Sequence, residues 1–343
     1  MSTETKPPQA PGTADPTTDQ TAFLAAHRAE IETAAKRIAA YTRRTPTLTT
    51  DLAPDLLLKP ECFQVTGSFK ARGAFNAVLQ LKQRDPQVKG VIAVSSGNHA
   101  QALALAAGTA GIPALILIPH DANPAKIAAT RAYGAEVITD GITFANREAR
   151  LREVMAERGY TLVHPFEDWD IIHGQGTAAL ELFQDAPQAD LVVTPCGGGG
   201  LLTGTALAAK STDQKIKVIG VEPEAADDAA QTFASGHIHS LDSGPDTIAD
   251  GVRTMSVGEK TFEVMVTRRL VDGIVTVSED EIRQATVTAW TRLKLALEPT
   301  GALPLAAYLA GKLPAAQTTA LVLSGGNANL QLVAQLLTAE AGR

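Results

Sequence analysis

The sequence predicts an α/β fold of open, twisted, mostly parallel sheets with flanking helices. Apolar strand-like stretches alternate with helical stretches along most of the chain, and Gly111 and Gly134 stand where helices must end. Polar or glycine-rich segments follow three of the predicted strands directly. Because open sheets of this kind bind ligands beyond the carboxyl ends of their strands, these segments are the candidate site.

Length and composition favour a soluble protein of two domains. The chain has 343 residues, of which 45% are hydrophobic. The net charge of −7 speaks against a nucleic-acid or anionic-membrane partner, and no apolar run approaches the ~20 residues of a membrane span. Cys62 and Cys196 provide neither a disulfide framework nor metal-ligand spacing, so we expect a cytoplasmic protein.

The predicted elements follow one another in two α/β series. Residues 1–20, rich in proline and polar residues, are expected to form a disordered tail. An amphipathic helix at about 21–41 comes next. The strands of the first series are predicted at 91–94, 114–118, 135–139 and 161–164, and those of the second near 191–194, 217–221, 274–277 and 320–323. We therefore assign a large domain to 21–87 and 167–343 and a small domain to 88–166.

Lys70 is the most informative residue of the chain. It lies between the apolar Phe69 and Ala71, after a turn at Thr66–Ser68 with helix-capping chemistry, and a good helical stretch follows. A desolvated lysine in the first turn of a helix faces the positive end of the helix dipole, and both effects lower the pKa of its amine. Lys70 is thus a candidate covalent anchor for an aldehyde cofactor.

Four consecutive glycines, 197–200, stand between a predicted strand and helix. Their backbone N–H groups can converge on an anion at the helix N-terminus, and the expected ligand is a phosphate. A flexible connection is the alternative. The dinucleotide pattern G-x-G-x-x-G fails at every starting glycine, although Glu222 ends the next strand where a ribose-binding acid would stand, so a dehydrogenase remains a minor hypothesis.

Each of the other polar segments has a ligand-binding interpretation and a purely structural one. Ser95–His99 suits a carboxylate and a ring hydroxyl, or merely caps a helix. Ser324–Asn327 places a neutral hydroxyl at a strand end, or forms only a turn. The acidic segment Glu222–Asp228 suits Mg²⁺ or Ca²⁺, or is a solvated loop. The histidines are scattered, which gives no support to a zinc site or a Ser-His-Asp mechanism.

Taken together and in this order, these segments resemble the fold-type II pyridoxal-phosphate enzymes, specifically the threonine/serine dehydratase and serine racemase family, over about residues 25–335. The resemblance implies a tryptophan synthase β-like fold, with pyridoxal 5'-phosphate between the two domains. The implied cofactor-binding residues are Lys70 as covalent anchor, Phe69 beside the ring, Asn98 at the ring hydroxyl, Gly197, Gly198, Gly199, Gly200 and Leu201 at the phosphate, and Ser324 at the pyridine nitrogen. The implied substrate-binding residues are Ser95, Ser96, Gly97, Asn98 and His99.

The resemblance also implies a reaction and a set of alternatives. The expected reaction is β-elimination from L-serine or L-threonine, giving pyruvate or 2-oxobutanoate and ammonia, with Lys70 as the Cα base. A serine at position 96 is similar to the serine racemases and threo-3-hydroxyaspartate ammonia-lyases, and in racemases that serine is the acid/base on the face opposite the lysine. Phenylalanine at position 166 is instead similar to the dehydratases. A non-catalytic amino-acid-binding module is a more distant alternative. Glu222, the Ala226 carbonyl and Asp228 match the family's divalent-cation site, for which Mg²⁺ is expected, and a homodimer is expected.

Overall fold

The computed structural model describes residues 16–120, 122, 124–143 and 145–341. Its strands are β1 (Leu48–Thr50), β2 (Ala53–Pro60), β3 (Val91–Val94), β4 (Ala114–Leu117), β5 (Glu136–Ile138), β6 (Thr161–Leu162), β7 (Leu191–Pro195), β8 (Lys217–Pro223), β9 (Gly273–Val277) and β10 (Thr319–Leu323). Its α-helices are α1 (Pro16–Ile38), α2 (Lys70–Arg84), α3 (Asn98–Ala110), α4 (Pro124–Ala132), α5 (Arg147–Arg158), α6 (Trp169–Asp185), α7 (Gly200–Thr212), α8 (Asp228–Ser235), α9 (Glu259–Phe262), α10 (Glu279–Thr288), α11 (Leu303–Leu309) and α12 (Leu330–Ala341).

The strands form two sheets. The larger has the order β1-β2-β10-β7-β8-β9, and all its neighbours are parallel except the antiparallel β1 and β2. The smaller has the order β5-β4-β3-β6 and is parallel throughout. These two mostly parallel sheets confirm the predicted fold class. All strands of the smaller sheet fall within the range 88–166, and the exact domain boundaries stay a prediction.

The central strands of the larger sheet are apolar because both of their faces are covered. Val192 of β7 and Val322 of β10 pack into one buried cluster with helices α6 and α7. Val193 and Leu321, the adjacent residues on the same strands, pack into a second cluster with α10 and α11. Side chains alternate between the faces of a strand, so a strand buried on both faces reads as a continuous apolar run.

Most predicted elements occur, with end-point differences of a few residues. Helix α1 begins at Pro16, within the range predicted as a tail, and the remainder of that prediction, residues 1–15, lies outside the described residues. Strands β1 and β2 were not expected. The segment 231–269 is irregular as predicted, with only short helical pieces. Among the described helices, none is long and apolar enough to cross a lipid bilayer.

A buried network of charges fixes the start of α2. The Arg72 guanidinium donates to Glu61 at 2.7 Å and to Glu181 of α6 at 2.7 Å, and none of its side chain is exposed. Lys59 of β2 donates to the same Glu181 carboxylate at 2.8 Å. Thr45 donates to Glu61 at 2.6 Å. Since Arg72 lies two residues after Lys70, this network also holds the lysine in place.

We expect Glu61→Gln to destabilise the cofactor-free protein by about 3–5 kcal/mol, because the buried Arg72 charge loses one of its two compensating carboxylates. Urea unfolding followed by circular dichroism measures this loss. The matched control is Glu32→Gln, which removes the partly exposed ion pair of Glu32 with Arg28 on α1. The control should change the unfolding free energy by less than about 1 kcal/mol. Equal effects of the two substitutions would contradict the role given to the buried network.

Candidate active site

The predicted site segments meet between the two sheets. Ser95–His99 follows β3 of the smaller sheet, whereas the four glycines and Ser324–Asn327 follow β7 and β10 of the larger. The loop from His164 to Asp168, which follows β6, closes the space between them. The carboxyl ends of parallel strands lie at one edge of each sheet. Asn98, which follows β3, is hydrogen-bonded to Asn327, which follows β10, so these two edges are brought together.

Lys70 is the first residue of α2, as predicted. Its Nζ donates a hydrogen bond of 2.6 Å to the carbonyl oxygen of Pro165. Part of the side chain is accessible, but the surrounding protein desolvates the amine and lowers the pKa of Lys70 to about 8. A substantial fraction of the amine is therefore neutral, and nucleophilic, near pH 8.

The turn before Lys70 is held by backbone contacts and not by the predicted cap. Helix α2 has no side-chain cap hydrogen bond, and the hydroxyl of Ser68 is buried without a partner among the described residues. The capping prediction is wrong. Instead, Phe69 N donates to Ser324 O at 3.0 Å and Gly326 N donates to Gly67 O at 2.9 Å. Ser324 is itself buried, with 2% of its surface exposed.

The turn also needs a left-handed backbone. Thr66 has φ 59° and Gly67 has φ 72°. A Cβ on Gly67 would lie 2.7 Å from Oδ1 of Asn327, the residue that donates from Nδ2 to Thr66 O at 2.7 Å. The two segments that sequence analysis treated separately thus form one unit.

The four glycines are packed against neighbouring elements on every side. A Cβ on Gly198 would lie 2.4 Å from the ring of Phe166, and one on Gly199 would lie 2.2 Å from Thr261. The carbonyl oxygen of Gly198 accepts hydrogen bonds from Gly258 N at 3.1 Å and from the Thr261 hydroxyl at 3.0 Å. The carbonyl group of Gly198 is thereby held by the protein, which argues against a flexible connection.

Helix α7 begins directly at this loop. Gly199, its N-cap residue, has φ 88°, and no side chain caps the helix. Leu201, in the first turn, is buried. An uncapped helix N-terminus preceded by a glycine turn is suited to a phosphate, which fits the predicted ligand.

The segment Ser95–His99 also begins a helix without a side-chain cap. Helix α3 has Gly97 at its N-cap position, and Ser95 Oγ accepts only a long bond of 3.3 Å from Gly97 N. Ser96 is half-buried, and a Cβ on Gly97 would meet nothing within 4 Å. The structure therefore gives no support to a capping role alone, and it leaves open space beside this segment.

Two histidines near Lys70 are uncharged. His99 is buried with Nε2 at 2.9 Å from Val163 O, and burial, followed by the charge of Lys70, lowers the pKa of His99 to about 3. Burial also lowers the pKa of His164, whose Nδ1 accepts a hydrogen bond of 2.9 Å from Glu167 N. Neither ring is suited to act as an acid at neutral pH, and the amine of Lys70 remains the basic group there.

The acidic segment places two carboxyl groups at the end of β8. Glu222 accepts hydrogen bonds from Ala229 N at 3.2 Å and Ala230 N at 3.0 Å. Both carboxylate oxygens of Asp228 are buried without a partner among the described residues. Burial, with the neighbouring Asp228, raises the pKa of Glu222, and burial raises the pKa of Asp228 to about 7. In the described part of the chain no cluster of three or more His, Cys, Asp or Glu residues is arranged for a metal ion.

Sequence analysis missed two groups of the site and one contact. The Pro165 carbonyl was missed, and Phe166 was singled out but its packing against the glycine loop was not predicted, because both act through tertiary contacts that no local pattern signals. Glu298, the second missed group, is 2% exposed and accepts a hydrogen bond of 2.6 Å from Asn98 Nδ2. Its signal was available, since it is the only charged residue between Leu295 and Leu309. A lone acid in an apolar run indicates a buried carboxyl group, which calls for an explanation.

Comparison with protein families gives one match over most of the chain. The model of the family described as "Pyridoxal-phosphate dependent enzyme" matches residues 38–325. The residues present fit that cofactor. A lysine of lowered pKa donates to the Pro165 carbonyl, and the next residue, Phe166, packs against the uncapped, glycine-lined N-terminus of α7.

Individual relatives match most of the chain at substantial identity. An L-threo-3-hydroxyaspartate ammonia-lyase of Saccharomyces cerevisiae is 42% identical over 90% of this chain and 95% of its own. A serine racemase of Arabidopsis thaliana is 44% identical over 88% of this chain and 92% of its own. The crystal structure of a threonine deaminase from T.th. superposes with a TM-score of 0.82 at 50% identity, covering 88% of this chain and 98% of that one.

We expect Lys70 of the cofactor-free protein to be methylated by formaldehyde and cyanoborohydride with a pH midpoint of about 8, because only the neutral amine reacts. Peptide mass spectrometry over a pH series measures the midpoint. The control is the same peptide from urea-denatured protein, where the midpoint should return to about 10.4. Identical midpoints in the two states would show that the fold does not lower this pKa.

Proposed function

This chain belongs to the pyridoxal-phosphate-dependent enzyme family, and from that premise we propose that it is an ammonia-lyase acting on L-serine and L-threonine. The observation that carries the proposal is the desolvated Lys70 amine, whose pKa is lowered to about 8 at the start of α2. The relatives are ammonia-lyases, deaminases and racemases of small amino acids, so the chemistry of the group supports a small amino-acid substrate.

Each residue of the site has a task in this proposal. Lys70 anchors the cofactor, Gly197 to Gly200 with the Leu201 amide hold its phosphate, and Phe69, Asn98 and Ser324 meet its ring. Pyridoxal phosphate, when bound, supplies an electron sink that labilises bonds at Cα and Cβ of an amino acid. Because Ser324 is a neutral hydroxyl and not a carboxylate, it leaves that sink weaker than an aspartate would, which favours elimination over transamination.

The substrate is held and deprotonated by the chain itself. N–H groups of the segment Ser95–His99, at the uncapped start of α3, bind the substrate carboxylate, with the open space beside Gly97 admitting the rest of the molecule. The Lys70 amine would take the Cα proton at Nζ, and the Pro165 carbonyl, which accepts a hydrogen bond from that nitrogen, would orient it. In the net reaction a hydroxy-amino acid becomes a 2-oxo acid and ammonia, since the water lost on elimination is regained on hydrolysis.

Serine racemase and threo-3-hydroxyaspartate ammonia-lyase activity form the second candidate. The specific observation in its favour is Ser96, a half-buried hydroxyl beside the open space at Gly97. A hydroxyl on the face opposite Lys70 could return a proton to Cα and invert the substrate. A non-catalytic amino-acid-binding module of the same fold would have no use for a lysine of lowered pKa.

We expect Lys70→Ala to lower 2-oxo acid formation from L-serine, L-threonine and L-threo-3-hydroxyaspartate by about 10³-fold or more, because the base is lost. It should also remove the visible absorbance of the lysine-bound cofactor. Ser96→Ala should keep 2-oxo acid formation while lowering D-amino acid formation by about 10²-fold. Chiral chromatography and a coupled oxo-acid assay follow both products in one incubation. Equal loss of 2-oxo acid in the two variants would refute the assignment of Ser96 to the second face.

We further propose that Glu222, the Ala226 carbonyl and Asp228 bind Mg²⁺. The supporting observation is that neither carboxylate oxygen of the buried Asp228 has a protein partner among the described residues. A second buried carboxyl group, that of Glu222, lies beside it. A bound cation would supply the missing ligand and the missing charge.

We expect Mg²⁺ at a hundredfold excess over its Kd to stabilise the protein by about 2.7 kcal/mol, measured by unfolding with and without chelator. Asp228→Asn should abolish this gain. Glu224→Gln, which alters an exposed carboxylate of the same segment, should keep it. The affinity should rise as the pH rises through about 7, since protons compete for Asp228 below its pKa. Stabilisation that persists unchanged in Asp228→Asn would place the ion elsewhere.

A further inference from the structure

Glu298 lies in the wall where the two sheets face each other. It is the N-cap residue of a short 3₁₀ turn at Pro299–Ala302, and its backbone N donates to Gly325 O at 3.2 Å. A Cβ on Gly325 would lie 2.6 Å from Glu298 Oε1, so the carboxyl group is pressed against the residue that follows Ser324. Glu298 takes part in none of the ion pairs found among the described residues.

The hydrogen bonds around Asn98 determine which way its amide points. Asn327 Nδ2 donates to Thr66 O at 2.7 Å, which identifies that atom as the nitrogen. The same nitrogen donates to Asn98 Oδ1 at 2.7 Å. The Asn98 nitrogen therefore turns to Glu298 and donates to Oε1 at 2.6 Å. An amide nitrogen has two hydrogens, and one of them is left for a ligand.

Two charged groups from neighbouring elements act on Glu298. Asp250 and Lys126 of α4 form an ion pair with each other, joining the two sides of the cleft. Burial, followed by the charge of Asp250, raises the pKa of Glu298 to about 7, while Asn98 and Lys126 act in the opposite direction. Cys62 is the remaining titratable neighbour, and burial raises the pKa of its thiol to about 12, so it stays neutral.

We propose that Glu298 is a positioning residue of the active site, whose carboxyl group fixes the Asn98 amide so that its second N–H faces the ring oxygen of the cofactor. This proposal rests on the proposed function, because it assumes that pyridoxal phosphate binds beside Asn98. Removing the carboxyl group frees the amide to rotate and to present its oxygen instead. Changing the charge of the carboxyl group changes the strength of the bond that holds the amide.

The proposal predicts that the absorbance of the bound cofactor depends on the protonation state of Glu298. Proton uptake by Glu298 weakens its hold on Asn98, so the spectrum of the bound cofactor should change with a midpoint near pH 7. The ion pair of Lys126 and Asp250 adjusts this midpoint. Lys126→Met removes a positive charge and should move the midpoint to higher pH, whereas Asp250→Asn removes a negative charge and should move it to lower pH.

The experiment titrates the absorbance of the bound cofactor and measures cofactor affinity in wild type, Glu298→Gln and Glu298→Ala. Glu298→Ala should weaken cofactor binding about tenfold, the value of one hydrogen bond. Glu298→Gln can still accept from Asn98, so it should recover most of the affinity, but it should lose the titration near pH 7. Wild-type affinity in Glu298→Ala, or an unchanged titration in Glu298→Gln, would overturn the proposal.

A second measurement uses the cofactor-free protein and does not depend on the proposed function. The pKa of Glu298 is raised from 4.5 to about 7, so the folded state binds more protons than the unfolded state in that interval. Its stabilising contribution is complete below about pH 4.5 and is lost as the pH rises through about 7. Subtracting the Glu298→Gln unfolding curve isolates this loss from that of other buried acids. Absence of a difference would overturn the proposed state of Glu298. A wild type that binds no cofactor would instead refute the proposed function, and with it the positioning role, while the titration of Glu298 in the cofactor-free protein would stand.

Discussion

The desolvation of one amine is the constraint on which the rest of the site depends. Lys70 must be buried enough to lose its proton near neutral pH, yet reachable from the cleft. The fold meets both conditions by placing the amine at the junction of two sheets, with the carbonyl oxygen of Pro165 as its hydrogen-bond acceptor. An anionic neighbour would raise the pKa of Lys70 and defeat this arrangement. The nearby rings of His99 and His164 are kept uncharged by burial.

The second constraint is that distant segments must arrive together. The turn at 66–69 and the loop at 324–327 exchange backbone hydrogen bonds and a side-chain bond from Asn327, so neither has a stable shape without the other. The larger sheet makes this possible, because β10 lies directly beside β2. The expected helix-capping bond from Ser68 is not formed. The turn is held instead by contacts with residues far away in the sequence, which a local capping pattern does not predict.

The sequence predicted those features of the fold and the site that depend on residues close together in the chain. The alternation of apolar runs and helices predicted the sheets, because a parallel strand buried on both faces has a distinctive composition. The glycine loop and Lys70 were found because the residues that indicate their chemistry are consecutive in the sequence. Strands β1 and β2 were missed, since β2 interrupts its apolar run with Lys59, whose charge is satisfied by the distant Glu181 and by the Thr45 carbonyl. The hydrogen bond of Glu298 was missed for the same reason, because its partner Asn98 is 200 residues away.

The buried carboxyl groups of this acidic protein differ in how their charge is compensated, because their neighbours differ. Glu61 and Glu181 meet Arg72, a cation from the chain itself, so they are paired in place. Glu222 and Asp228 meet each other and no such cation among the described residues, and two adjacent acids are a natural site for an external one. Glu298 has neither a cationic partner nor a second acid in contact within the described part of the chain, so a proton is the least costly solution. A change of protonation near pH 7 affects the site only if a neighbouring group responds to it. The Asn98 amide, which donates a hydrogen bond to the Glu298 carboxyl group, is placed to respond.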